Sequence, residues 1–395
     1  MAESVPSTTI EMADPSSPLE SGSPGVCGAF YSELAEETRQ SLQQAAKFLK
    51  SSDYMIVFAG AGMGVDAGLG TFRGGGRMLF PPVEERKISY PHACKPARMD
   101  EDDLYGGPPF AWAFWKTCID SYAASNPHRG YEILGEWAEK LQAKKEKDGP
   151  IEEPILRSLW SSAVALTGGS TPRVPSSTVQ VCTSNVDGYF ERISTFKGHV
   201  HELHGCVLRL QCQGKTRSSS SQPIVCPNAT KTWPIGEEEL RSMKIDPEKY
   251  HVVGSLPTCH GCNRPARPNV MMFNDAQYLT ERGAESQEEI CERWREGVVH
   301  AVKHYRKCCL ALEIGAGKEV PTVRQKADEF CKLAGCPLVR INLHDYGKEI
   351  DHSRSGSGVD AGGDAGTSSG KYPFVGLPMS AAPALQLLDW LSFHS

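Results

Sequence analysis

The chain has 395 residues, of which 39% are hydrophobic and 23% are charged. These values are typical of a globular protein with a hydrophobic core, and they exclude a fibrous or wholly disordered chain. The formal net charge of −6 gives no electrostatic reason to expect direct binding of nucleic acid. No stretch approaches the roughly 18 apolar residues of a membrane span, so we expect no membrane association.

The N-terminal segment and the cysteines indicate the compartment. The segment has neither the charged and apolar regions of a signal peptide nor the arginines of a transit peptide. The 14 cysteines are scattered, which indicates reduced thiols and one metal cluster rather than a secreted disulfide framework. We therefore expect a cytosolic or nuclear protein.

The first predicted elements lead into a run of glycines. Residues 1–27 are rich in Ser, Pro and Glu and are predicted to form a disordered tail. Apolar residues recur at helical spacing from Glu33 to Lys50, which predicts an amphipathic helix. Tyr54–Ala59 is a short apolar run that ends at Gly60, as a buried parallel strand would.

Strands and helices alternate along the rest of the chain. The further predicted strands are Thr178–Cys182, Cys308–Ile314 and Leu338–Ile341. The further predicted helices are Phe110–Ala124, His128–Leu141, Glu288–Tyr305 and Ala382–Phe393. This alternation predicts an α/β fold with a parallel sheet.

Three segments interrupt the alternation. Residues 142–177 mix charged residues with Pro, Gly and Ser and are predicted to be an insertion or flexible loop. Residues 214–222 contain a serine run. Residues 353–370 are rich in Ser and Gly and predict a linker, which separates a C-terminal segment at 371–395.

Glycines 60, 62, 64 and 68 follow the first predicted strand. Such glycines let backbone N–H groups approach a pyrophosphate at a helix N-terminus. The segment is not a full G-x-G-x-x-G motif, because Val65 occupies the place of the third glycine. By itself it is equally compatible with a phosphate-binding loop and with a plain tight turn.

Cys259-His-Gly-Cys262 has the spacing of half a structural zinc site. A redox-active pair is the alternative, but no thioredoxin-like strand pattern surrounds it.

Several motifs resemble those of the sirtuin family, in the family's order. Gly60-Ala-Gly-Met-Gly-Val-Asp-Ala-Gly68-Leu-Gly-Thr-Phe72-Arg73-Gly74 resembles the signature G-A-G-I-S-x-x-S-G-I-P-x-F-R-G without a gap. The later matches are Thr183-Ser-Asn185-Val-Asp187-Gly188, Glu202-Leu-His204-Gly205, Pro268-Asn-Val270-Met-Met-Phe273, Gly315-Ala-Gly317 and Ile341-Asn342. The resemblance spans roughly residues 40–345, and several ordered motifs are far more specific than one.

The resemblance implies a fold and a reaction. The expected fold is α/β, with a Rossmann-like parallel sheet as the NAD-binding domain at 33–350 and a small zinc-binding module inserted at about 206–267. The expected reaction is NAD-dependent removal of acyl groups, with acetyl expected, from lysines of acylated protein substrates. Its products would be nicotinamide and O-acyl-ADP-ribose.

Two alternatives to deacylation remain open. One is a mono-ADP-ribosyltransferase or NAD glycohydrolase, and the other is a non-catalytic module that binds NAD or ADP-ribose. The sequence does not indicate the oligomeric state.

The resemblance also implies site residues. His204 would be the catalytic base, and Asn185 and Asp187 would orient the nicotinamide end of NAD. The implied cofactor-binding residues are Gly60, Ala61, Gly62, Gly64, Phe72, Arg73, Ser184, Asn185, Asp187, Gly315, Gly317 and Asn342. The implied substrate-binding residues are Val270 and Phe273. The implied structural zinc ligands are Cys212, Cys226, Cys259 and Cys262, with Cys206 and His260 as alternatives to Cys226.

The chain departs from the family pattern at several positions. The substituted positions are Ser184 for Gln, Gly64 for Ser, Gly70 for Pro, Ala316-Gly317 for Thr-Ser, and Asn274-Asp275 for Gly-Glu. These changes leave the implied catalytic Asn, Asp and His in place. Cofactor affinity, rate and substrate preference are not fixed by the resemblance.

Overall fold

The computed structural model of the protein describes most of the chain. The described residues are 24–70, 80–85, 87–88, 90–94, 106–149, 173–212, 226–280, 286–347 and 372–395. The predicted serine run and the predicted linker lie outside these residues, as do Phe72 and Arg73. Within these ranges, no helix has both the length and the apolar composition needed to cross a bilayer.

The described residues form alternating strands and helices. The strands are β1 (Tyr54–Ala59), β2 (Val179–Thr183), β3 (Val200–Glu202), β4 (Gly205–Cys212), β5 (Thr232–Pro234), β6 (Lys244–Ile245), β7 (Val252–Val253), β8 (Ala266–Val270), β9 (Cys309–Ile314), β10 (Leu338–Ile341) and β11 (Phe374–Leu377). The helices are α1 (Pro24–Glu33), α2 (Glu36–Ser51), α3 (Pro82–Glu85), α4 (Tyr90–Ala93), α5 (Gly107–Ala124), α6 (Arg129–Asp148), α7 (Tyr189–Arg192), α8 (Glu237–Ser242), α9 (Gln287–Tyr305), α10 (Thr322–Ala334) and α11 (Ala381–Phe393). Two 3-10 helices span Ala61–Ala67 and Ser194–Phe196.

The main sheet has six strands in the order β11-β10-β9-β1-β2-β3. Every neighbouring pair is parallel. All residues of the central strands β1 and β9 are buried. Strand β1 is therefore a continuous apolar run, whereas β9 contains Glu313, which is paired with the buried Arg340 at 2.7 Å. The four predicted strands are confirmed, each within one residue at either end. The sequence analysis missed β3 and β11, which are short strands at the two edges of the sheet.

Helices cover both faces of this sheet, because alternate side chains of each strand point in opposite directions. Met55 and Val57 of β1 belong to a core that α2, α6 and α11 share. Ile56 and Phe58 of the same strand pack in the core that α9 and α10 cover. The result is the doubly covered parallel sheet expected for the α/β class.

Two predicted helix boundaries were wrong. The predicted helix at 33–50 is α2, which begins at Glu36, and residues 24–27 of the predicted disordered tail belong to helix α1. Helix α6 continues to Asp148, so residues 142–148 are helical and not part of a flexible loop. This last stretch is polar because it lies at the surface, where Gln142 Nε2 donates to Glu146 Oε1 at 3.1 Å across one helical turn.

The C-terminal segment completes the main sheet. Strand β11 pairs in parallel with β10, with Leu338 opposite Phe374. Helix α11 then returns to the glycine turn, where the Ala382 N–H donates to Asp66 Oδ2 at 2.6 Å. At its far end, Trp137 Nε1 of α6 donates to Asp389 Oδ1 at 2.8 Å. Strand β11 and helix α11 are therefore part of the same structure as the main sheet and the glycine turn.

A smaller lobe lies between β3 and α9 in the chain. It contains a three-stranded sheet in the order β5-β4-β8, in which both neighbouring pairs are antiparallel. Helix α5 packs on this lobe through an apolar core that includes Trp112 and Phe114. The Trp112 indole N–H donates to the Ala266 carbonyl at 3.0 Å, which fixes the helix to β8.

The loops after β1 and β9 approach each other closely at two glycines. A Cβ atom added at Gly60 would lie 2.7 Å from the Ala316 Cα, and one added at Gly62 would lie 2.6 Å from the Gly315 Cα. Both obstacles are backbone atoms, which cannot turn aside as a flexible side chain can. Glycine is therefore required here for backbone packing.

This packing predicts unequal effects for two glycine-to-alanine substitutions. Gly62→Ala should lower the free energy of unfolding by about 1–3 kcal/mol or more, because the methyl group overlaps the Gly315 backbone. Gly317→Ala should change it by less than about 0.5 kcal/mol, because an added Cβ there meets no atom within 4 Å. Urea unfolding of both variants measures the difference, and equal effects would contradict the close approach.

Candidate functional site

Apart from the motif at 268–273, which lies on and after β8 of the small lobe, the sequence motifs lie at the ends of strands of the main sheet, and those strands all run in the same direction. The strands that precede the motifs end at Ala59, Thr183, Glu202, Ile314 and Ile341. Since carboxyl ends of parallel strands meet at one edge, the motifs lie along one edge of the sheet. Strands β2 and β3 lie on one side of β1, whereas β9, β10 and β11 lie on its other side. Open α/β sheets bind ligands at such a change of direction, which here falls between β1 and β9.

The glycine turn is held against β9 by its own backbone. The Gly60 N–H donates to the Ile314 carbonyl at 2.9 Å, and the Gly62 N–H donates to the Gly315 carbonyl at 2.9 Å. The segment continues as a 3-10 helix over Ala61–Ala67. Two amides of the turn are therefore occupied within the protein, and contact of Gly60, Ala61, Gly62 and Gly64 with a pyrophosphate stays a prediction.

The Thr183–Asn185 segment is tied to the end of β1. The Ser184 N–H and the Thr183 hydroxyl both donate to the Ala59 carbonyl, at 3.0 and 3.1 Å. The Asn185 N–H donates to Thr183 Oγ1 at 3.0 Å. The Asn185 side-chain Nδ2 is buried and has no hydrogen-bond partner among the residues that the structure describes. Buried amides are rarely left unpaired, so this donor marks a place for an acceptor on a ligand.

Asp187 lies two residues further on, with 6% of its surface exposed. Its Oδ1 accepts a hydrogen bond from the Tyr189 N–H at 2.8 Å, at the start of α7. Burial raises the pKa of the Asp187 carboxyl to about 6, although that hydrogen bond opposes the shift. The carboxylate is therefore fixed in position beside Asn185.

His204 lies in the turn between β3 and β4. Its carbonyl accepts a hydrogen bond from the Met271 N–H at 2.8 Å, which ties the turn to the chain after β8. Burial lowers the pKa of the His204 ring, and a hydrogen bond with the Ser184 backbone opposes this shift. The ring is therefore neutral near pH 7 and is in contact with the Thr183–Asn185 segment. A neutral imidazole can accept a proton.

A cavity of about 270 Å³ adjoins His204 and Glu202. It lies between the β3–β4 turn, the segment after β8, and the first turns of α9 and α10. Burial raises the pKa of the Glu202 carboxyl to about 7, although a hydrogen bond from Gln287 Nε2 at 3.2 Å opposes the shift. The sequence analysis missed several lining residues because no motif contains them: Tyr278, Gln287, Thr322 and Lys326.

The two predicted substrate-binding residues differ in exposure. Val270 ends β8, is buried, and lies opposite Gly205 in the antiparallel pair with β4. Phe273 is exposed over 38% of its surface. Val270 is the last residue of β8 and Phe273 lies three residues beyond it, and their contact with a substrate stays a prediction.

Asp275 organises the segment that carries Phe273. Its carboxylate pairs with the Arg267 guanidinium, including Nη1 to Oδ1 at 3.2 Å, and both side chains are fully buried. The same carboxylate accepts hydrogen bonds from the Met272 and Gln277 N–H groups at 3.2 and 3.1 Å. The Asn274-Asp275 departure thus supplies a buried partner for Arg267.

The two late motifs meet at the end of β9 and β10. Asn342 Nδ2 donates to the Ala316 carbonyl at 3.0 Å, and its Oδ1 accepts from the His344 and Asp345 N–H groups. The Asn342 side chain therefore joins the two loops. Gly315 has a φ of +64°, which glycine tolerates better than other residues. Binding of an adenosine group by Gly315, Gly317 and Asn342 stays a prediction.

The implied zinc ligands come together in the small lobe. The thiols of Cys212, Cys226, Cys259 and Cys262 form one cluster. The Cys212 and Cys262 Sγ atoms are 3.7 Å apart, and those of Cys226 and Cys259 are 3.5 Å apart. Four sulfurs around a tetrahedral zinc, at about 2.3 Å from the metal, would be roughly 3.8 Å apart. The cluster therefore fits a structural zinc ion.

The alternative ligands have other neighbours. Cys206 shares a hydrogen bond with the Glu202 side chain, and the His260 ring packs against Trp233 with the ring centres 5.9 Å apart. The ligand set with Cys226 is therefore the one that the thiol geometry supports.

Comparisons with known proteins show which proteins the chain is similar to. No protein-family model matches it. It is 25% identical over 178 residues to the NAD-dependent protein deacetylase of Oceanobacillus iheyensis, a match that covers 45% of this chain and 56% of that protein. It is 22% identical over 315 residues to the NAD-dependent protein deacylase of Pseudomonas putida, covering 78% and 86%. It is 24% identical over 173 residues to the NAD-dependent protein deacylase of Aeropyrum pernix, covering 44% and 51%.

Solved structures of Sir2 proteins are also similar to the chain. A Sir2 homologue in complex with NAD has a TM-score of 0.44 at 15% identity, over 88% of this chain and 93% of that one. Sir2Tm bound to a propionylated peptide has a TM-score of 0.41 at 15% identity, over 77% and 87%. The chain is therefore similar to members of the sirtuin family, at identities of 22–25%. The matches span about half the length of the first and third relatives named above.

The buried Arg267–Asp275 pair generates a stability prediction. Asp275→Ala should lower the free energy of unfolding by about 3–5 kcal/mol, because it leaves the guanidinium buried without its counter-charge. Asp120→Ala is a matched control, since Asp120 pairs with Lys116 but is 57% exposed. That control should change the free energy by less than about 1 kcal/mol. Chemical denaturation measures both values, and a small effect at Asp275 would contradict the buried pair.

Proposed function

We propose that the protein is an NAD-dependent protein-lysine deacylase, with an acetyl group as the expected acyl group. The observation that carries the proposal is the buried amide of Asn185, which has no hydrogen-bond partner among the described residues, together with the neutral ring of His204, which bonds to the backbone of the neighbouring Ser184. The names of the curated relatives, NAD-dependent protein deacetylase and deacylase, support the same activity.

The residues at the sheet edge fit NAD as co-substrate. Asn185 Nδ2 offers a buried donor that lacks an acceptor, as a carboxamide oxygen would supply. The glycines at 60, 62 and 315 bring the loops of β1 and β9 together at the position where a dinucleotide crosses such a sheet. Asp187, held by the Tyr189 N–H, would orient the same end of the cofactor.

In the proposed reaction, NAD supplies the ribose that receives the acyl group, with nicotinamide as the leaving group. Asn185 and Asp187 bind and orient the nicotinamide end. His204, neutral because burial lowers the pKa of its ring, accepts a proton from a ribose hydroxyl. The bond from nicotinamide to ribose and the amide bond of the acyl-lysine would break, and one water molecule would be consumed. The products would be nicotinamide, O-acyl-ADP-ribose and a free lysine side chain.

The cavity beside His204 is the place proposed for the acyl-lysine. The cavity adjoins the His204 turn, and the segment after β8 and the start of α10 line it. Val270 and the exposed Phe273 follow β8 on this side, and they would contact the acylated peptide. The substrate side chain would therefore enter on the side where Met271 is bound to the His204 carbonyl.

The decisive experiment measures nicotinamide release from NAD with and without a panel of acylated lysine peptides. Release that depends on an acylated peptide, most strongly an acetylated one, is the expected result. Release without peptide would replace the proposal with NAD glycohydrolase or ADP-ribosyltransferase activity. Binding of NAD without release of nicotinamide would replace the proposal with a non-catalytic module that binds NAD.

His204→Ala should reduce peptide-dependent release by about 10²–10⁴-fold while NAD still binds, because the base is lost and the Asn185 contact is kept. His199→Ala is the matched control, since His199 precedes the same strand β3 at its opposite end. The control should keep near-normal release. Equal activity of the two variants would remove His204 from its proposed role.

The pH dependence follows from the direction of the His204 shift. Since burial lowers the pKa of His204 below its ordinary value of 6.5, the ring loses its capacity to accept a proton only below that pH. The acid limb of kcat/KM should therefore lie below pH 6.5, and Glu202→Gln should keep it. A limb near pH 7 that disappears in Glu202→Gln would assign the titration to Glu202, the pKa of which burial raises to about 7.

A further inference from the structure

A second group of metal-ligating side chains lies beneath the catalytic segments. It consists of Cys182 on β2, His201 on β3 and Cys291 on α9, and we call it the Cys-His-Cys cluster. Cys182 and His201 are direct neighbours in the parallel register of β2 and β3, so their side chains lie on the same face of the sheet. Helix α9 covers that face and contributes Cys291.

The three ligand atoms are already close together. All of them lie within 4.8 Å of one another, and all three residues are buried. In a tetrahedral zinc site, sulfur and nitrogen ligands at about 2.0–2.3 Å from the metal would be roughly 3.5–3.8 Å apart. Movements of about 1 Å would therefore close the cluster around an ion.

The side chains of the cluster contact each other. A hydrogen bond with Cys182, together with burial, raises the pKa of the Cys291 thiol, and a hydrogen bond with His201 opposes this shift. A metal ion would replace the thiol protons and the hydrogen bonds that they make.

The donor set selects the class of ion. Two thiols and one imidazole suit zinc and similar thiophilic divalent metals, and they do not suit magnesium or calcium, which take oxygen ligands. Three protein ligands also leave a fourth position for water. His201 contributes to the lining of the 270 Å³ cavity, which provides water and an ion with a route to the cluster.

We infer that the Cys-His-Cys cluster is a second metal site, separate from the four-cysteine cluster, that binds one zinc ion through Cys182, His201 and Cys291. Cys182 precedes Asn185 by three positions, and His201 precedes His204 by three. A bound ion would hold β2, β3 and α9 together directly behind both catalytic segments. The inference concerns metal binding alone and stands whether or not the chain is a deacylase.

The test is a cobalt titration of the full-length protein with its resident zinc in place. Cobalt binds such ligands more weakly than zinc, so it leaves a tetrathiolate zinc site intact. One equivalent should bind, with visible d–d bands and a thiolate-to-cobalt charge-transfer band. Excess zinc should remove both bands.

Native mass spectrometry in zinc should then show two zinc ions on each chain. Absence of the charge-transfer band together with a single zinc ion on each chain overturns the inference, whereas two zinc ions without a cobalt band support it, because zinc then already fills the second site.

Variants assign the ligands. Cys182→Ser, Cys291→Ser and His201→Gln should each lose the cobalt bands and the second zinc ion while keeping the first. Cys118→Ser is the matched control, because Cys118 is also buried but lies on α5, outside both clusters. The control should bind both ions. Loss of binding in Cys118→Ser to the same extent overturns the assignment, and the wild-type titration decides the inference if a variant does not fold.

Discussion

The close backbone contact between the loops after β1 and β9 is the constraint on which the site depends. Gly62 packs on Gly315, and the Gly60 and Gly62 N–H groups donate to carbonyls of the β9 loop. Asn342 adds a side-chain bond from the β10 loop to Ala316. Three strand ends are thereby fixed relative to each other, two of them through backbone contacts and the third through the Asn342 side chain.

Solvent exclusion at this edge sets the chemical state of the site. Burial favours the uncharged form of each titratable group, so the pKa of His204 falls while those of Asp187 and Glu202 rise. The same burial surrounds the Asn185 Nδ2, which has no hydrogen-bond partner among the described residues. A neutral base and an unpaired donor therefore arise from one physical cause, which is the shielding of the strand ends by the small lobe and the helices.

Distant parts of the chain supply that shielding. The small lobe is held by the Arg267–Asp275 pair and by the four-cysteine cluster, which fits a structural zinc ion. Helix α11 reaches the glycine turn through the bond from Ala382 to Asp66. Departures from the sirtuin pattern can thus be read physically: Asp275 compensates the charge of Arg267, while the Gly64 and Ala316 substitutions remove side chains that could contact a cofactor.

The sequence by itself determined the α/β class, the four central strands and the order of the motifs, because buried parallel strands are rich in apolar and β-branched residues. It also identified the four thiols that gather in the small lobe. Only the tertiary structure decided which edge strands complete the sheet and which distant side chains meet. The edge strands β3 and β11 are too short to give a period, and the Cys-His-Cys cluster joins residues more than 100 positions apart. Such contacts depend on strand register and helix packing, which no local pattern records.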